Sequence, residues 1–165
     1  MVSANQRCLR QALSMLDAVT DDQYALQRGN RSAVGAQYRH VLEHYQCLLE
    51  GLEHGRVDYD ARRRDPTLER SRDRARTVTT TIIAQLAGLD RVPVDRPLAV
   101  QMQCDADPHG PSWAPSSMGR ELQFLVSHSV HHFALIKLLL TDQSVRLDPE
   151  FGIAPSTLSH ARTAR

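Results

Sequence analysis

The stretch "SMGRELQFLVSHSVHHFALIKLLLT", residues 117–141, decides the fold. With successive residues turned by about 100°, Leu122, Leu125, Val126, Phe133, Ile136, Leu139 and Leu140 share one broad arc. That is the apolar stripe of a long helix packed against others. Three histidines fall within five positions, at 128, 131 and 132. His132 lies inside the apolar arc and His128 at its flank. His131 lies further round, on the polar side with Arg120, Gln123 and Ser127. His128 and His132 are four residues apart, so both rings rise from one helix face and their tips can share an ion. Imidazole nitrogen suits zinc, iron and nickel. The zinc-protease pattern HExxH is absent, because Ser129 stands where its glutamate would be, and a metalloprotease would lack its general base.

Three further segments carry helical periodicity. The first opens near Ser3, with Gln6 as a capping-box partner, and continues through Leu9, Leu13, Leu16 and Val19. Residues 20–28 add a short turn, and residues 29–32 form a loop ending in Ser32, a candidate N-cap. The second runs from Ala33 to His54 and stops near Gly55. Its stretch "YRHVLEHYQ" holds His40 and His44, again four apart. Tyr38, Val41, Leu42, Tyr45, Leu48, Leu49 and Leu52 form its apolar arc. His44 lies just outside that arc and His40 further out, so periodicity alone slightly prefers His44 as the inward ring. Glu43 is read as a solvated carboxylate, with a role as imidazole acceptor the alternative. The third segment starts at Pro66, a favoured first-turn residue, and runs to Gly88 through the β-branched "TVTTTII", which is a poor helix former.

Residues 91–116 hold five of the eight prolines and read as a long irregular connection, with "LAVQMQC" a short strand lacking an obvious companion. The tail "LDPEFGIAPSTLSHARTAR" reads as an ordered cap. The sequence therefore predicts one all-α domain over residues 1–165: a four-helix bundle with a long irregular connection before the last helix and an ordered C-terminal tail. The long third connection leaves room for a crossover.

Composition bounds the function. Hydrophobic residues make up 41% and charged residues 24% of the chain, the balance of a globular protein. A formal net charge of +1 offers no electrostatic case for nucleic acid or an anionic membrane. No run reaches about 18 consecutive apolar residues, so no membrane span is expected. The opening "MVSANQRCLR" lacks the apolar run of a secretory signal. Cys8, Cys47 and Cys104 are far apart and odd in number, which points to a reducing, cytoplasmic setting rather than a disulfide framework. His54, His109 and His160 are read as surface residues.

Taken in order, "SAVGAQYRHVLEHYQCLLEGL", "VDYDARRRD", "GRELQFLVSHSVHHFALIK" and "FGIAPSTL" resemble the DinB-like family of bacterial helical-bundle proteins, over roughly residues 5–160. The resemblance implies a four-helix bundle, a homodimer, and a divalent metal held by three histidines. One comes from the second helix and an H-x-x-x-H pair from the last. On this chain the pair is His128 and His132. The second-helix ligand falls on the His of "RH", His40, with His44 in reserve. One position departs from the pattern: relatives often carry histidine three residues before the His of "RH", and here stands Gln37. If that position is a ligand, metal binding suffers; if it is not, only the polarity of the pocket changes.

Imidazole ligation leaves zinc, nickel or iron open as the ion, and the same resemblance implies a small-molecule substrate. The leading expectation is a metal-dependent transferase that activates a low-molecular-weight thiol. A metal-dependent isomerase or hydrolase, or a non-enzymatic metal-binding and stress-response bundle, are the alternatives. His131 is read as a surface residue, with a proton shuttle the alternative; Lys137 as a solvated or tail-binding lysine rather than a helper; and Cys47 as a small packing residue, with a place near the site the alternative. The tyrosine and arginines of "DYDARRRD" either cover the open metal face or form a loop that pins the second and third helices.

Overall fold

In chain order the elements are α1 (Val2–Ala18), α2 (Asp21–Ala25), α3 (Val34–His54), β1 (Arg56–Asp58), α4 (Pro66–Arg70), α5 (Arg72–Ala87), a 3-10 turn (Gly88–Arg91), β2 (Pro97–Gln101), β3 (Ala114–Ser117), α6 (Met118–Thr141) and α7 (Pro155–Thr163). They come from a computed structural model that describes residues 1–27, 29, 32–104 and 113–163. The expectations for Arg28 and His109 lie outside the described residues.

The local signals were reassigned in three places. The capping box forms at Thr20 and Gln23, ahead of α2, and not at Ser3 and Gln6. Gln6 instead donates to the Ile83 carbonyl at 3.1 Å, tying α1 to α5. α3 opens at Ala33 without a side-chain cap, and the Ser32 hydroxyl turns to the Ala33 carbonyl. The segment read as one helix from Pro66 is two. Ser71 leaves helical geometry at φ −114°, ψ 107°, and its hydroxyl caps α5 by accepting from the Arg74 amide. The run "TVTTTII" is helical despite its β-branched residues, and the hydroxyls of Thr77, Thr79, Thr80 and Thr81 each donate to the carbonyl four residues back.

The four long helices form the expected bundle. α1 and α3 each pack against both α5 and α6, so α5 and α6 occupy opposite corners. The connection between them therefore crosses the bundle. Part of it is a sheet of order β1-β2-β3, β1 parallel to β2 and β3 antiparallel. The missing companions of "LAVQMQC" are thus β1, just after α3, and β3, just before α6. This sheet ties the end of α3 to the start of α6, so the two helices run past each other in opposite directions. Gly51 permits the tie: a Cβ there would lie 2.4 Å from the Arg56 carbonyl oxygen.

All four tyrosines are buried, and each hydroxyl bridges two elements. Tyr24 donates to the Leu68 carbonyl, and Tyr38 pairs with the Thr79 hydroxyl across α3 and α5. Tyr45 donates to Asn5 of α1, and Tyr59 to Glu121 of α6.

The tail is ordered, as expected. Phe151 is buried and stacks on Phe133 with ring centroids 4.9 Å apart. Lys137 donates to the Pro149 and Phe151 carbonyls at 2.8 and 3.2 Å, so it is a tail-binding residue. Among the described residues α6 alone is long and apolar enough to cross a bilayer, at mean hydropathy 1.3. Of its most apolar window 28% is buried, and the buried face packs on α1 and α3.

Candidate metal centre

The seam between α3 and α6 gathers four imidazoles. Because the helices are antiparallel, His40 faces His132 with ring centroids 4.6 Å apart, and His44 faces His128 at 4.3 Å. His40 also lies 5.0 Å from His128, and His128 lies 4.5 Å from His132. One ring nitrogen each of His40, His128 and His132 fall within 4.8 Å of one another. Nitrogens bound to one tetrahedral ion at about 2.0–2.1 Å stand about 3.3 Å apart.

The states of the two α6 rings fit an ion. The His132 Nδ1–H donates to the Gln37 side-chain oxygen at 2.7 Å, which leaves Nε2 unprotonated. The position that departs from the family pattern thus orients a candidate ligand. The His128 Nε2 is buried and has no hydrogen-bond partner among the described residues. An orphaned buried nitrogen is costly unless something occupies it.

His44 plays another part. It is more buried than His40, at 2% exposed, as its wheel position implied. Its Nδ1–H donates to the His40 carbonyl at 2.7 Å, and its Nε2 faces the Arg62 guanidinium at 3.4 Å. Both nitrogens are thereby turned from the point where the other three converge. Burial and convergence separate here because the site lies at a seam between two helices, off the centre of the apolar arc.

Burial is the first cause that holds all four rings neutral. It pushes His40 and His128 down to about 3, and His44 and His132 down to about 4. Neighbouring imidazoles add to the shift for His40, His128 and His132, and Arg62 adds to it for His40 and His44. Metal ligation needs unprotonated imidazole, so proton competition within the fold begins well below the ordinary imidazole range.

The loop carrying "DYDARRRD" closes one side. The Tyr59 ring stacks on His44 at 5.3 Å, and the Arg62 guanidinium donates to the Tyr59 carbonyl. Phe124 stacks on His128 at 5.3 Å and meets Tyr59 at the same distance. Phe124 was not singled out in the sequence, although it lies one turn before His128 on the same face. Glu43 is neither solvated nor an imidazole acceptor. It is buried, accepts from the Asp65 amide at 2.7 Å, and pairs with Arg39 at 3.6 Å, so it pins the loop to α3.

The remaining helpers recede. His131, His54 and His160 are exposed. The Cys47 thiol is half-buried and pushed up to about 11, first by burial. Cys8 is buried and pushed up to about 12, again first by burial, and all three cysteines are free thiols.

A helical bundle whose second and last long helices bring three histidines to one point defines a class. Residues 4–136 match the family model for the DinB superfamily, and the chain belongs to that superfamily, whose members generally bind metal. Among solved structures it is similar to a DinB-like protein of Bacillus subtilis. The two are 17% identical, with a TM-score of 0.64 over 89% of this chain and 94% of that one. It is also similar to FK506-binding protein 5 of Rhizopus delemar, at 31% identity over 106 residues. That match takes in 64% of this chain and spans only 28% of the fungal protein's length.

Proposed function

We propose that the chain is a metal-dependent transferase of small molecules, in which His40, His128 and His132 hold a divalent zinc, nickel or iron ion and the nucleophile is a low-molecular-weight thiol. The observation that carries this reading is the set of three neutral imidazoles, one with a buried Nε2 and no partner. An ion held by three imidazoles keeps open positions, where it would lower the pKa of a bound thiol.

The chain's own residues supply the rest. Gln37 holds His132 in one tautomer and orientation. Tyr59 and Phe124 wall the imidazoles with aromatic rings, which limits water on that side. Burial holds Cys8 and Cys47 as thiols, which leaves neither as the ready nucleophile. With an aryl halide a sulfur–carbon bond forms as the carbon–halogen bond breaks, halide leaves and the thiol proton passes to solvent; with maleate the sulfur–carbon bond forms as the carbon–carbon π bond breaks and a proton is delivered to the neighbouring carbon. The same reading includes a homodimer, and it sets the chain in a reducing, cytoplasmic compartment, the latter supported by its free cysteines.

The test is a matrix of thiols and electrophiles. Protein loaded with zinc, nickel or iron is mixed with cysteine or glutathione and an activated aryl halide or maleate, and thioether product is followed. The reading expects metal-dependent product that disappears in His128→Ala. Equal rates in the loaded protein and the variant would remove it. Metal retention without any turnover would leave a metal-binding bundle that acts by other means.

A further inference from the structure

Beside the imidazoles lies a cleft of about 280 Å³ that uses none of them. Its shared walls are Tyr59 and Phe124, whose rings also stack on His44 and His128. The volume lies just below the range of about 300–1,000 Å³ usual for drug-sized ligands, which suits a smaller molecule of phenylalkanoate size. Val100, Met102, Pro115 and Phe124 give the lining an apolar character.

Two charged side chains reach this lining, Glu121 and Arg120. Glu121 is buried and fully engaged: the Tyr59 hydroxyl donates to Oε2 at 2.8 Å and the Ser116 hydroxyl to Oε1 at 2.5 Å. The Arg120 guanidinium makes no hydrogen bond or ion pair with a described residue. The uncommitted charge at the cleft is therefore positive and carried on a planar fork suited to a carboxylate.

We propose that this cleft binds a small apolar molecule ending in a carboxylate, with Arg120 taking the anion and Met102, Val100 and Phe124 covering the apolar body. The inference stands apart from the metal reading, because none of the four clustered histidines lines the cleft.

The test is calorimetric titration of the full chain with 4-phenylbutyrate and with its uncharged amide. Metal content of the same sample is measured in parallel, so either reading can fail alone. The carboxylate is expected to bind saturably and about tenfold more tightly than the amide, the effect of one charge-assisted contact. Arg120→Met should erase that preference, and Arg120→Lys should restore part of it. Arg120 is exposed and has no side-chain partner among the described residues, so neither change threatens folding. Cys104 lines the cleft and is exposed, and its reaction with a disulfide reagent should slow when 4-phenylbutyrate is bound. Equal affinity for acid and amide, an unchanged preference in Arg120→Met, or no protection of Cys104 would each overturn the proposal.

Discussion

Gln37 shows how one side chain can decide what a histidine does. By accepting from the His132 Nδ1–H it fixes the tautomer that presents Nε2 to the centre. Gln37→Leu should weaken metal affinity about 10–100-fold, read by competition with a chromophoric chelator. Gln37→Glu, which keeps the acceptor, should retain most of it. Unchanged affinity in Gln37→Leu would deny Gln37 this role. Glu43 belongs to the same scale. Its buried carboxylate is the partner of the Asp65 amide. Glu43→Ala should cost about 1–3 kcal/mol in denaturant unfolding by stranding that donor. The α6 pair was legible in the sequence because four-residue spacing projects directly onto one helix face. Glu43 was not, because a wheel describes one helix and is blind to a loop folding back over it.

At the scale of elements, the helices followed from periodicity and the breaks did not. Nothing in the pattern from Pro66 to Gly88 announces the interruption at Ser71, since serine is compatible with a helix interior and with a cap alike. Ser71→Ala should lower stability by about 1 kcal/mol through loss of the cap on α5. The companions of "LAVQMQC" were hidden for another reason. β1 is three residues long and β3 contains Pro115, and neither carries a strand signal until β2 lies between them. The tail was legible through Phe151 and Gly152. Gly152 has φ +72°, and a Cβ there would stand 2.7 Å from the Ala134 nitrogen. Gly152→Ala should destabilise the chain by about 1–3 kcal/mol and loosen the tail from α6, measured by thermal unfolding and by proteolysis after residue 147.

For the whole molecule, four imidazoles held neutral make stability depend on pH. Their pKa values in the fold lie near 3–4, against 6.5 for the unfolded chain. Below pH 6.5 the unfolded state gains protons that the folded state refuses, so stability is fully present above 6.5 and is lost as pH falls toward 4. Ordinary carboxylates titrate mostly below about 4.5, so the window from 6.5 to 4.5 reports chiefly on histidine. Metal-free protein should therefore unfold at steadily lower denaturant across that window, while zinc-loaded protein should resist the decline. Stability independent of pH between 6.5 and 4.5 would contradict the buried, neutral state of these rings.

The most direct measurement is the metal content of protein purified without a nickel column, by mass spectrometry, for the parent chain and four single variants. About one divalent ion per chain is expected in the parent and in His44→Asn, and almost none in His40→Ala, His128→Ala or His132→Ala. An ion retained in His128→Ala, or lost in His44→Asn while His40→Ala keeps it, would contradict the three-histidine centre.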